Sequence, residues 1–361
     1  MVDPLVMQGR LDRLWTSLED ESLDAVLFVD PANIRYLSGF SGSESLMLVE
    51  EGRRTLLVDG RYKEQALREA QNADVIEYGD KVEGIIEILK QKGMGRIGFE
   101  SPSMTYAQYM KIRKGLPQEL EMVPLERSLL FLRARKDKGE VAFLRRAAAI
   151  AALALQKTLA AFKSGMTERE AARLLDWNMI QEGGERPAFD TIIASGPNGA
   201  LPHARPGSKS LAEGELIVID YGVLLEGYNS DESVTVALGP PSVEARHVYE
   251  IVLEAHDRAI EVIRPGVLCR DVDATARGII EKAGYGSNFV HGTGHGLGMQ
   301  VHEAPSVSRK SEDRLEEGMV ITVEPGIYLP GRFGVRIEDS VLVTADGHEI
   351  ISCTSKHMMT L

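Results

Sequence analysis

Apolar positions in the first third of the chain change their period several times. Leu11, Leu14, Trp15 and Leu18 share one helical face, which predicts a helix over residues 7–18. Residues 25–29 (AVLFV) form a short unbroken apolar run, the mark of a buried strand. Residues 46–49 and 55–58 flank Glu51-Gly52 and predict a strand pair around a tight turn. Helical patterns follow at 62–70, 82–92 and 106–114, with strands at 75–77 and 96–99 between them. Such alternation predicts one α/β domain. The charged stretch 133–140 (RARKDKGE) ends it, and a long helix follows. Asp137 stands where a cap belongs, and Val141, Leu144, Ala148 and Ala151 continue along one face. The run 147–155 (AAAIAALAL) is too short to cross a bilayer and reads as a buried helix segment.

The rest of the chain repeats itself. KSGMTERE, with Gly165 and Arg169, returns 101 positions later as RPGVLCRD, with Gly266 and Arg270. LAEGELIVIDYG (211–222) returns as LEEGMVITVEPG (315–326), which sets Asp220 against Glu324, 104 positions on. PHARP (202–206) returns as VHEAP (301–305), with His203 against His302 at an offset of 99. Offsets this similar imply two copies of one unit of about a hundred residues, longer than solenoid periods. The expectation is a pseudo-twofold domain in which each copy runs helix, turn, helix, strands.

The repeat pairs off acidic residues. Asp220 and Glu324 each end an apolar strand, and Asp231 (NSDES) matches Glu338 (RIEDS) with Ser233 matching Ser340. Four carboxylates brought together repel and stay ionised only when cations neutralise them. With His295 added, the set suits two divalent ions sharing carboxylates. An acidic residue at a strand end is ordinarily a solvated turn group, but matched positions in two copies argue against four unrelated turns.

Residues 289–305 (FVHGTGHGLGMQVHEAP) hold His291, His295 and His302 among glycines at 292, 294, 296 and 298. Such a run lets backbone and imidazole approach something closely. The dinucleotide pattern GxGxxG fails at Leu297 and Met299. HExxH fails because Ser306 replaces the second histidine, and no CxxC supports a deaminase zinc site. His247, His256, His348 and His357 read as surface residues.

Bulk properties narrow the class. A net charge of −13 argues against nucleic acid or an anionic membrane as partner. The two cysteines, Cys269 and Cys353, lie far apart, which suits a reducing, cytoplasmic setting. The N-terminus has charges throughout and no apolar core of a signal peptide.

Five motifs, DYG (220–222), SDESVTV (230–236), GTGHGLG (292–298), EPGIY (324–328) and RIEDS (336–340), stand in order. The chain thereby resembles the metallopeptidases of the pita-bread fold, the family of methionine aminopeptidase, aminopeptidase P and prolidase. NIRYLSGFSGS (33–43) and LLVDGRY (56–62) resemble the N-terminal domain of aminopeptidase P, prolidase and creatinase. Creatinase does not use the metal pair, so five intact ligand positions argue against it. The resemblance implies an α/β N-terminal domain over 1–132 and an α+β pita-bread catalytic domain with the internal repeat over 133–361. It implies two divalent ions per subunit, manganese first, with cobalt or zinc as alternatives. Asp220 would bind one ion, Asp231 and Glu338 both, and His295 and Glu324 the second. Glu324 would also take the proton of the attacking water, and His203 and His302 would hold the scissile carbonyl. Arg336 would orient Glu338 or the opposing carboxylate, meet the substrate's carboxyl end, or form a structural ion pair.

Three positions depart from the family pattern: Ser233 replaces a threonine but keeps the hydroxyl, Val234 replaces an arginine, and Ser306 stands where some prolidases place a carboxylate-binding arginine. Arg309 and Lys310 lie near enough in sequence to substitute for it. The expectation is a cytoplasmic Xaa-Pro aminopeptidase (aminopeptidase P) acting on peptides with proline second, and the resemblance alone implies a homodimer. The alternative is an Xaa-Pro dipeptidase (prolidase), and the remote one a non-catalytic peptide-binding protein.

Overall fold

Strand Ala25–Phe28 (β1) is buried along its whole length, as an apolar run at the centre of a sheet must be. In the computed structural model, which describes residues 4–70 and 72–361, β1 pairs antiparallel with Ser45–Glu50 (β2) and parallel with Arg96–Glu100 (β5). Arg53–Asp59 (β3), Asp74–Tyr78 (β4) and Glu121–Leu125 (β6) complete the order β4-β3-β2-β1-β5-β6 among the described residues. Helices Lys81–Lys92 and Tyr106–Gly115 close one core through Ile85, Leu89 and Ile112 against Leu27, Leu48 and Leu57. Besides the short helical turns Glu19–Glu21 and Arg127–Leu130, two longer elements escaped the periodicity. β6 carries Pro124 and little apolar run. The helix Pro31–Ser38 is set by its cap: the Asp30 carboxylate accepts the N–H groups of Ala32 and Asn33, with proline at the first helical position.

Contacts divide the chain into two units, Met1–Arg133 and Ala134–Leu361. The second opens with helix Lys138–Leu159, begun by a capping box between Asp137 and Glu140. Its inner face (Ala147, Ala151, Ala154, Leu155) joins Leu175, Ile217, Ile219 and Val236 in the core. The repeat is visible in the backbone. Helices Lys138–Leu159 and Glu168–Gln181 are answered by Val243–Glu261 and Cys269–Lys282. Gly165 and Gly266 take the same left-handed conformation, φ 90° and 87°. Their N–H groups donate to the carbonyls of Leu211 (3.0 Å) and Leu315 (2.8 Å). Each copy then supplies an antiparallel strand pair, Leu216–Tyr221 with Glu232–Ala237 and Val320–Val323 with Asp339–Val343.

One histidine departs from expectation. His247 and His357 are exposed and His348 half-buried, but His256 is 1% exposed. Tyr249, Val252, His256 and Ala259 recur at helical spacing on the inner face of Val243–Glu261, so burial follows from the helix period. Among the described residues no helix is long and apolar enough to cross a membrane.

Candidate metal centre

The strand pairs deliver the acidic residues to one place. Asp220 lies near the end of Leu216–Tyr221, opposite Ser233. Asp231 and Glu338 immediately precede Glu232–Ala237 and Asp339–Val343, and Glu324 follows Val320–Val323. All four line a cavity of about 490 Å³ together with His203, His291, His295, His302 and Arg336. Every site residue expected from the sequence therefore reaches this cavity, and the two copies of the repeat contribute on both sides.

The glycine run behaves differently from its first appearance. A methyl on Gly294 would lie 1.9 Å from the Thr322 carbonyl oxygen, and one on Gly296 2.1 Å from that of Ala304. Those contacts are with neighbouring strands, not with the acidic cluster. The glycines let Gly294–Gly296 lie tightly between Glu303–Val307 and Val320–Val323, which points His295 into the cavity.

His295 accounts for its own tautomer. Its Nδ1 lies 3.0 Å from the Gly296 carbonyl oxygen, an acceptor that requires the proton on that nitrogen. Nε2 then presents a lone pair 3.4 Å from Glu324 Oε1 and 3.6 Å from Asp231 Oδ2. Burial, reinforced by the nearby His302, holds the imidazole pKa down at about 4, so it is neutral. A lone pair facing carboxylate oxygens is unfavourable unless a cation lies between them.

The carboxylates repeat the point. Donor atoms of Asp231, His295 and Glu338 lie within 4.8 Å of one another. Burial and then the neighbouring carboxylates raise Asp231 and Glu338 well above the usual carboxylate range. Glu324 is raised to about 8, burial again the largest cause. Asp220 Oδ1 is buried with no hydrogen-bond partner. An unpartnered carboxylate oxygen, a neutral imidazole and crowded carboxylates all fit divalent cations with oxygen and nitrogen ligands.

Arg336 is 3% exposed, and four of its five guanidinium N–H groups are engaged within the site. Nη2 donates to Asp220 Oδ2 (2.6 Å), Nε to Ser233 Oγ (3.0 Å), and Nη1 to the Tyr328 hydroxyl (3.0 Å) and the Pro202 carbonyl (3.1 Å). Of the roles expected for it, the geometry matches orientation of the opposing carboxylate, since four of its five N–H groups are already committed to protein partners. Ser233 passes the contact on, donating to Glu338 Oε2 at 2.8 Å. Tyr328 also meets His291 Nε2 at 2.9 Å, so His291 reaches Asp220 through Tyr328 and Arg336. Val234, where the family pattern has arginine, is buried in the core.

Sequence reasoning passed over Arg205. It lines the cavity, is exposed, and has no hydrogen-bond or ion-pair partner among the described residues. Its signal lay in PHARP, two positions after His203. Arg309 instead pairs with Glu281 and lines a separate surface depression.

This arrangement of two repeat-related carboxylate pairs around one imidazole defines a metallohydrolase-type centre, and comparison with known proteins places it. Residues 142–345 match the model of metallopeptidase family M24, and residues 10–135 that of the creatinase/prolidase N-terminal domain. The Xaa-Pro dipeptidase of Pyrococcus furiosus is 36% identical over 353 residues, 98% of this chain and 100% of that protein. Two solved structures superpose over nearly the whole length. The Xaa-Pro dipeptidase from Bacillus anthracis does so with TM-score 0.94 and 34% identity, covering 98% of this chain and 100% of that one. The X-Pro aminopeptidase from Thermotoga maritima does so with TM-score 0.90 and 36% identity, covering 97% and 99%. The chain belongs to metallopeptidase family M24 and has its pita-bread fold.

Proposed function

We propose that the protein is a two-metal Xaa-Pro dipeptidase, with Asp220, Asp231, His295, Glu324 and Glu338 as ligands and manganese as the first choice of metal. The observation that carries the reading is the convergence of these five side chains on one cavity in a chain similar over its full length to Xaa-Pro dipeptidases. The relatives favour the dipeptidase over the aminopeptidase P expected from the missing arginine at Ser306.

A bound pair of divalent cations supplies a Lewis acid that polarises a carbonyl and lowers the pKa of water toward neutrality. The chain's own residues do the rest. Glu324 takes the proton of the attacking water, and Arg336 holds Asp220 through Nη2 while supporting Glu338 through Ser233. His203 and His302 come from matched positions of the two copies, hold the scissile carbonyl and return a proton to the leaving nitrogen. A bond to proline has no N–H to recognise, so selection falls to shape. Phe189, Ile192, Pro202 and Val301 give the cavity the apolar wall that a pyrrolidine ring needs. Arg205, unpaired among the described residues, offers a cation for the carboxylate that a dipeptide presents beside the scissile bond.

Steady-state kinetics with added manganese on Xaa-Pro and Xaa-Pro-Yaa peptides test the reading. Preferred hydrolysis of the dipeptide is expected; cleavage of tripeptides with inert dipeptides would return the assignment to aminopeptidase P. Arg205→Ala should raise KM for Xaa-Pro by about 10- to 100-fold, as expected for loss of a charge-assisted hydrogen bond of about 1.5–3 kcal/mol. KM for the uncharged Xaa-Pro amide should not move, and a parallel loss on both substrates would remove Arg205 from carboxylate recognition.

A further inference from the structure

Behind the carboxylate cluster lies a second, buried ionic cluster with no contact with the cavity. Asp231 and Glu338 face the cavity, and alternation along a strand turns the next residue of each, Glu232 and Asp339, the opposite way. Glu232 and Asp339 are also a repeat-related pair, 107 positions apart like the two residues before them. One side chain joins them. The Lys356 ammonium pairs with Glu232 Oε1 and lies 3.2 Å from Asp339 Oδ1. The three side chains are 9%, 2% and 5% exposed, so little water screens them.

Other groups flank the pair. Tyr221 donates its hydroxyl to Glu232 Oε2 (3.0 Å), the Thr354 N–H donates to the same Oε1 that Lys356 meets (3.1 Å), and His256 Nε2 lies 3.2 Å from Asp339 Oδ2 without making a hydrogen bond to it. Lys356 is itself fixed, because the C-terminal segment is tied down at this residue and beyond it. The Tyr249 hydroxyl donates to the Lys356 carbonyl (2.8 Å), and the N–H groups of Ala237 and Gly239 donate to the carbonyls of Met359 (2.9 Å) and Leu361 (3.0 Å).

We propose that Lys356 is a positioning residue for the metal centre, a single ammonium that ties the two copies of the repeat together directly behind Asp231 and Glu338. Without it Glu232 loses the ammonium beside it and the two buried carboxylates lose the cation they share, which favours separation of the strand ends they sit on. Asp231 and Glu338 each lie one peptide away, so the distance between them changes with that separation. The inference rests on the reading of Asp231 and Glu338 as ligands shared by both ions.

The test is titration of manganese(II) into chelator-stripped full-length protein, well below its unfolding temperature, with electron paramagnetic resonance of the loaded pair. Lys356→Met keeps length and removes charge; it should weaken manganese binding by about 10-fold or more, the usual cost of losing a group that orients a ligand. It should also alter the exchange-coupled signal, which reports the separation of the two ions. Lys356→Arg should recover most of the affinity and the wild-type spectrum. A folded Lys356→Met protein with wild-type affinity and spectrum would overturn the proposal, leaving Lys356 only a contributor to stability. Should that variant not fold, Asp339→Asn loosens one end of the tie and takes its place: weaker binding supports the tie, unchanged binding overturns it. Wild-type protein that takes up no manganese would defeat the metal-centre reading itself, and this inference with it.

Discussion

Arg336 and Glu100 show how a buried charge is tolerated in this chain, by multiple hydrogen bonds in each case and to different ends. Arg336 distributes its N–H groups over Asp220, Ser233, Tyr328 and the Pro202 carbonyl, and so touches one candidate ligand, Asp220, directly and another, Glu338, through Ser233. Glu100, in the N-terminal unit, accepts the N–H groups of Val29 (2.5 Å) and Asp30 (2.7 Å) and the Asn33 amide (2.5 Å). Burial nevertheless outweighs those donors and raises its pKa from 4.5 to about 7. The folded state then binds more protons than the unfolded one between these two values. Its stabilising contribution is full below the unfolded pKa, falls as pH rises toward about 7, and is flat above. The loss is on the order of 3 kcal/mol, at 1.36 kcal/mol per unit. Unfolding midpoints of the N-terminal unit measured from about pH 4.5 to 7.5 should show this fall, and Glu100→Gln should flatten it; an unchanged slope in the variant would assign the effect elsewhere. Residues of this kind were the least legible in the sequence. Arg205, His256 and Lys356 take their meaning from cavity walls or partners that no local pattern connects to them, such as Asp339 for His256 and Glu232 for Lys356, whereas the five candidate ligand positions were legible because the repeat printed most of them twice.

At the level of elements, the glycine run 292–298 was legible as a place of close approach, but not what it approaches. Gly294 and Gly296 face carbonyl oxygens of flanking strands, so side chains there collide with backbone that has nowhere to go. Gly294→Ala should cost about 1–3 kcal/mol or more, as overpacking does. It should also reduce manganese uptake, because His295 lies between the two tight positions. Gly278 provides the contrast: it lies inside helix Cys269–Lys282, and a methyl there meets nothing within 4 Å. Gly278→Ala should stabilise by about 0.5–1 kcal/mol through helix propensity alone. Denaturant unfolding of the two variants decides the matter, and equal effects would mean that the strand contacts do not explain the run. The helix Pro31–Ser38 makes a related point: Asp30-Pro31 carried its start signal, but an eight-residue helix has too few turns for its apolar period to stand out.

On the scale of the whole molecule, the repeat made the site legible because it related residues that no local pattern connects. It also dictates how the metal should act on stability. The candidate ligands come from both copies, Asp220 and Asp231 from the first and His295, Glu324 and Glu338 from the second, so cations bound among them hold the copies together as a staple would. All five lie in Ala134–Leu361; Met1–Arg133 contributes none and has its own sheet and core. Ligand that binds only the native state stabilises it by RT ln(1 + [L]/Kd), about 2.7 kcal/mol at a hundredfold excess over Kd. Calorimetry of chelated protein should therefore resolve two transitions, of which manganese raises only the one belonging to Ala134–Leu361. The isolated N-terminal unit, if it folds alone, should melt at the temperature of the insensitive transition. Asp231→Asn should abolish most of the manganese-dependent rise while leaving the other transition in place. A single transition that shifts as a whole with manganese would show instead that the two units unfold together and that the staple acts on the entire chain.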